Sequence, residues 1–167
     1  MQSAITYPFT ASTRISTKIK QVISDVNMEK VGKQLAVIRL RGRTGIRKDV
    51  EDTLAHLNLR RINHCVIVED SPVILGMLKK AKDHITWGQI DAETLNALVE
   101  KRGEAATNNA RSDRKTVSFN GKGYKPYFRL SPPKGGLGRR GIKATFAKSG
   151  ALGNRNDKIN DLIKRMV

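Results

Sequence analysis

Apolar positions along the chain recur with two different periods, and the switches between them mark out the elements. In Leu35-Ala36-Val37-Ile38-Arg39-Leu40-Arg41, the residues Ala36, Ile38 and Leu40 repeat at period two, which predicts a strand. Its other face begins apolar at Leu35 and Val37 and turns basic at Arg39 and Arg41. That end of the strand is therefore expected to leave the core and meet solvent or an anion. Gly42 and Gly45 break the pattern. A helix is expected over 48–58, where Val50, Leu54 and Leu57 share a face. Asp49, Glu51 and Asp52 crowd its first turn, which the helix dipole favours. Residues 62–68, rich in β-branched side chains, predict a second strand.

Ser71-Pro72 offers an N-cap followed by proline at the first helical position. Ile74, Met77, Leu78 and Ala81 then set the apolar face of a second helix. Ile85-Thr86-Trp87 is a short third strand, with Trp87 a core or half-buried residue. Asp91 is placed to cap a third helix, with Glu93 in its first turn and Leu95, Leu98 and Val99 facing inward. Lys101 and Arg102 fall in its last turn, and Gly103 at the position just beyond it. The order is β-α-β-α-β-α, a small sheet against helices, hence α+β.

Beyond Gly103 the pattern weakens. Residues 104–115 are polar. Val117-Ser118-Phe119 and Tyr124 flank Asn120-Gly121, a hairpin-turn pair. Tyr127 to Leu130 predicts a strand. Residues 132–141, Pro-Pro-Lys-Gly-Gly-Leu-Gly-Arg-Arg-Gly, fit neither helix nor central strand and predict an extended basic segment. Ile159, Leu162, Ile163 and Met166 predict a final amphipathic helix, packed on the scaffold and pinning the basic segment.

Charge changes this picture from a scaffold to a binding protein. The 167 residues carry 32 Lys plus Arg against 15 Asp plus Glu, a net charge of +17. So basic a chain is the footprint of a polyanion partner. The charge is also segregated. Residues 111–167 hold 15 basic and 3 acidic side chains, residues 28–48 hold 7 and 1, and the block between them, 49–110, holds 7 and 10. Two basic arms thus flank a near-neutral scaffold. Only 5% of residues are aromatic, and no basic amphipathic helix with an aromatic apolar face is evident, so nucleic acid is favoured over a membrane surface. No apolar run approaches the ~20 residues of a membrane span. The single Cys65 excludes an internal disulfide and suits a reducing cytoplasm. Residues 2–24 hold no acid, three basic residues and eight Ser or Thr, a composition shared by transit peptides and by disordered basic tails. The preferred reading makes 1–32 an N-terminal extension, either a disordered basic tail or extra residues upstream of a natural start at Met28.

The candidate nucleic-acid contacts follow from these arms. In 132–141, glycines let backbone approach a phosphate surface while Lys134, Arg139 and Arg140 supply counter-charge, which Arg129, Lys143 and Lys148 extend. Free in solution such a segment gains too little burial to offset its ordering. Arg39, Arg41, Arg43, Arg47 and Lys48 form the other arm, and Arg60 with Arg61 a smaller patch. The alternative at each is a solvated charged loop. Gly135-Gly136-Leu137-Gly138 matches the GxxG loop of a KH module only on paper, since prolines precede it where a helix must stand.

Catalytic chemistry finds little footing. His64 and Cys65 are adjacent on a strand and point to opposite faces, so a buried structural cysteine is the better reading. His56, His64 and His84 lack metal-ligand spacing, and no phosphate-binding glycine loop is present. No enzyme, cofactor, metal or small-molecule substrate is expected.

Several separate runs carry a family resemblance. They are Arg41-Gly42 with 47–54, 61–65, 75–78, Thr86-Trp87-Gly88, 128–136 and 158–163. Together they resemble the archaeal-type members of large-subunit ribosomal protein family thirty, related to eukaryotic L-seven. The resemblance covers 33–103 and 127–167. It implies a β-α-β-α-β core similar to a ferredoxin-like arrangement, with a basic C-terminal extension ending in a helix, and no catalytic activity. It also implies 23S-type rRNA as partner, 5S rRNA close by and large-subunit proteins as neighbours, at the ribosome in the cytoplasm. The family's rRNA-contacting runs map onto Arg41, Gly42 and Arg43, and onto Pro133, Lys134, Gly135 and Gly136. The stretch 104–126 is short beside archaeal relatives, and 1–32 matches nothing in the family. Two rivals are a free chromatin-type nucleic-acid binder, which would share the charge, and a small RNA-acting enzyme, which would need a site.

Overall fold

The protein is described as a computed structural model over residues 34–105, 117–119 and 122–167. β1 (Gln34–Arg39), β2 (His64–Glu69) and β3 (Ile85–Gln89) lie side by side, with β1 antiparallel to both neighbours. Two short strands extend the sheet to five. β6 (Phe128–Arg129) pairs antiparallel with β2, and β7 (Gly153–Asn154) pairs parallel with β3, giving the order β6-β2-β1-β3-β7. β4 (Val117–Phe119) and β5 (Lys122–Tyr124) pair antiparallel in a separate two-stranded sheet, with Phe119 opposite Lys122. Its Asn120-Gly121 turn, the polar stretch 106–116 and the N-terminal extension lie outside the described residues.

The two faces of β1 serve two cores. Leu35 and Val37 join Leu54, Leu57, Val66, Leu78, Ala81, Ile85 and Trp87, under α1 (Lys48–His56) and α2 (Pro72–Lys80). Ala36, Ile38 and Leu40 join Cys65, Leu95, Leu98, Phe128, Leu130 and the last helix, under α3 (Ala92–Arg102) and α4 (Ile159–Met166). The sheet is thus covered on both sides, and its central strand is apolar on both faces, as a doubly buried strand must be. This is the expected α+β fold of a β-α-β-α-β core, completed by the C-terminal helix.

The helices form where the periodicity places them. Ser71 caps α2, its hydroxyl accepting from the Ile74 amide at 3.3 Å. In α4 every apolar position of the stripe, Ile159, Leu162, Ile163 and Met166, is fully buried. Burial of one such side chain contributes about 1.5–3 kcal/mol. α4 comes close because Gly88 on β3 leaves room: a Cβ there would collide with the Asn156 carbonyl and stand 3.0 Å from the Ile159 Cβ.

Three local expectations are corrected. Asp91 occupies the cap position of α3 but makes no side-chain cap hydrogen bond. Gly103 ends α3 with φ −67°, not in the left-handed conformation; its lack of a side chain makes room for Val99 and the Tyr124 ring instead. Residues 132–141 are not extended. Pro133 to Gly136 and Gly138 to Gly141 close as turns through amide-to-carbonyl bonds of 3.0 and 3.1 Å. Gly135 and Gly136 both sit at positive φ, 79° and 75°, a succession that only glycine adopts without strain.

Candidate nucleic-acid interface

The basic C-terminal segment is stapled to the scaffold along its length. At its start, the Ser131 amide donates to the Met166 carbonyl at 3.0 Å, and Arg102 reaches the Ser131 hydroxyl at 2.6 Å and the Val167 carbonyl at 3.2 Å. The Lys134 amide donates to the Arg165 carbonyl, while the Arg165 guanidinium donates to the Gly136 carbonyl at 3.3 Å. At its far end Arg155 is buried. It donates to Thr86 Oγ1 at 3.1 Å and to the Ala151 carbonyl, and its guanidinium stacks over the Phe146 ring at 4.6 Å. These bonds add to the little apolar burial that 132–141 offers: within it the Lys134 amide and the Gly136 carbonyl both engage Arg165.

In the middle, the segment meets the other arm. Arg41 sends its Nε and Nη2 to the Ile142 carbonyl at 3.2 and 2.7 Å. Two stretches 101 residues apart in sequence thus meet on one surface. Around this junction Gly42, Arg43, Lys143, Arg139, Arg140 and Lys148 are exposed. Arg139, Arg140, Lys148 and Ser149 line an open concavity.

Arg39 does not belong to this surface. It is 1% exposed, and its guanidinium donates to the carbonyls of Leu59 at 2.7 Å, Gly42 at 2.7 Å, Arg41 at 2.8 Å and Arg60 at 3.4 Å. Burial, and then the nearby Arg43 charge, lowers its pKa below the usual arginine value. Its place among the phosphate contacts is withdrawn: all its reach is spent on holding the 41–42 loop against the 59–60 loop.

The remaining cations differ in their counter-charge. Arg43 pairs with Glu51 at 2.9 Å, Arg47 with Asp49 at 3.2 Å and Lys48 with Asp52 at 3.9 Å. The hydrogen bond from Arg43 holds the Glu51 carboxyl below its ordinary pKa. Arg129 lies 3.5 Å from Glu104, which also holds Lys125 at 2.7 Å. By contrast, among the described residues no acid pairs with Arg60, Arg61, Lys134, Arg139, Arg140, Lys143 or Lys148. No acidic residue occurs in the sequence between Asp113 and Asp157. Arg60 and Arg61 are exposed on the loop that Arg39 anchors.

His64 and Cys65 diverge as expected. His64 stacks on Tyr127 with ring centres 4.8 Å apart, while Cys65 is buried on the other face. Cys65 is fully buried, and burial pushes its thiol up to about 12, which disfavours the thiolate a nucleophile needs. Among the described residues no His, Cys, Asp and Glu side chains cluster as metal ligands, and no helix is long and apolar enough to cross a membrane.

The family model of ribosomal protein L30p/L7e matches residues 35–85, from β1 to the start of β3. The large ribosomal subunit protein uL30 of Methanococcus maripaludis is 40% identical over 151 residues, 79% of this chain and 98% of that protein. The chain belongs to this family. The uL30 proteins of Methanopyrus kandleri, 40% identical over 77% of this chain and all of that protein, and of Nanoarchaeum equitans, 42% identical over 79% and 97%, agree. The uL30 family is structural and not enzymatic, as the resemblance implied. The family model spans the first arm and Arg60-Arg61; the C-terminal arm lies beyond it.

Sequence reasoning missed Ser149, Arg155 and Arg165. Arg165 carried a signal, as a cation in the last turn of an amphipathic helix. Arg155 carried none, because its contacts with Thr86 and Trp87 depend on the β7 pairing, which two residues do not announce; Ser149 carried none, because its place depends on the turn that brings its carbonyl to the Arg140 amide.

Proposed function

We propose that this chain is a structural constituent of the large ribosomal subunit that holds 23S-type rRNA, with 5S rRNA close by, mainly through phosphate contacts. The observation that carries the reading is the Arg41–Ile142 junction, which turns two sequence-distant basic arms into one surface. Arg41, Gly42, Arg43, Arg47, Lys48, Arg60, Arg61, Arg129, Pro133, Lys134, Gly135, Gly136, Arg139, Arg140, Lys143 and Lys148 are its contact residues. The scaffold sets their geometry. Phosphate contacts position a protein without reading sequence, so recognition rests on rRNA shape. The relatives' name supports the large-subunit address; on this reading the neighbours are large-subunit proteins and the location is the cytoplasm.

Two measurements test it. The chain should co-sediment with large subunits after a moderate salt wash; a free nucleic-acid binder would be stripped away. Affinity for rRNA should fall steeply with salt, because each neutralised phosphate releases counterions. Replacing Lys134, Arg139 and Arg140 with Ala should flatten that slope and leave the fold intact. An unchanged slope removes the segment from the interface.

A further inference from the structure

We infer that the concavity lined by Arg139, Arg140, Lys148 and Ser149 is a discrete seat for a single phosphodiester group, not one stretch of diffuse counter-charge. The inference rests on the RNA-binding reading and narrows it to one anion.

Three observations support it. The first is convergence. Arg139 and Arg140 lead into a 3-10 turn at Gly141–Lys143, and Lys148 ends a second at Phe146–Lys148, so cations from two successive turns face one hollow. The second is the lack of counter-charge among the described residues. Among the described residues no acid pairs with any of the three, although most cations of the first arm have one. Like charges gathered in a concavity repel unless an anion fills it.

The third is preorganisation of the walls. The Arg140 amide donates to the Ser149 carbonyl at 3.4 Å, tying one wall to the other. Gly150 is buried directly against the Ala144 backbone, where any Cβ would clash, and its amide donates to the Thr145 carbonyl at 2.9 Å. Ser149 is held in the left-handed conformation at φ 59°, which a serine adopts at a cost. Anion binding gains from such a fixed backbone, because only the three exposed side chains are left to order on contact.

A discrete seat and a diffuse patch differ in how their cations add. Three cations on one phosphate neutralise one phosphate; three spread cations neutralise about three. The full-length chain and its Arg139→Ala, Arg140→Ala and Lys148→Ala variants, single and combined, would be titrated with large-subunit rRNA across a salt series. The seat requires the triple variant to lower the log–log salt slope by about one unit, with single losses that do not sum, since residues sharing one partner couple. A drop of about three units with additive losses overturns it, while leaving the RNA-binding reading in place.

A second arm needs no RNA. Backbone-amide NMR of the free chain titrated with inorganic phosphate should show saturable shifts at Arg140, Ser149 and Gly150 that vanish in the triple variant. Unsaturable or scattered shifts overturn the seat. Saturable shifts in a chain that ignores rRNA would keep the seat as a site for free phosphate and remove the parent reading.

Discussion

Arg39 and Arg41 stand two residues apart on one strand and look alike in sequence, yet one is a beam and the other a clamp. Arg39 holds four carbonyls from inside. Arg39→Ala would strand those acceptors in a buried place, and we expect a loss of about 3 kcal/mol in urea unfolding. Period two identified the strand, but nothing in it announced the carbonyls of Leu59 and Arg60, twenty residues away. Arg41→Ala should leave stability nearly unchanged and weaken rRNA binding, because it releases the Ile142 turn. The histidines give a pH prediction. Burial lowers the pKa of His64 and of His84 below the ordinary 6.5, and nearby arginines lower both further. Near pH 6 the unfolded chain therefore binds more protons than the fold does, so stability rises with pH there. It should be complete well above 6.5 and decline as pH falls below that value, read as the urea midpoint against pH. The double variant His64→Phe, His84→Phe should flatten that decline.

At the scale of elements, α4 closes the core that Ala36, Ile38 and Leu40 open. Leu162→Ala should cost about 2–5 kcal/mol by chemical denaturation, the range for a buried leucine truncated without collapse of the site. Gly88→Ala should cost about 1–3 kcal/mol, because its Cβ has to displace the Asn156 backbone and α4 with it. The helices and β1 were legible because each has a stripe long enough to show its period, and β2 because its run is rich in β-branched residues. β6 and β7 escape or blur because a two-residue strand has no period; only its partners across the sheet define it. The turns of 132–141 were hidden for a related reason. Glycine and proline exclude helix there but do not say which turns replace it.

For the whole molecule, the net charge announced a polyanion partner, but it did not show that the first arm is largely answered from within by α1 while the C-terminal arm is not. Freeing the first arm should therefore strengthen binding. Glu51→Gln with Asp49→Asn should raise rRNA affinity about two- to five-fold at low salt, the scale of exposed ion pairs, and the gain should fade at high salt. No gain would mean that those cations lie off the interface. The junction of Arg41 with Ile142 has a consequence for folding kinetics. A contact spanning 101 residues closes late, after local helices and hairpins, because the loop entropy is lost before the contact repays it. On the proposed RNA-binding reading, a partly folded chain would carry the full charge without the shape and should bind RNA indiscriminately. The finished fold brings both arms together, so the time taken to close that junction would set how long a new chain stays a non-specific binder.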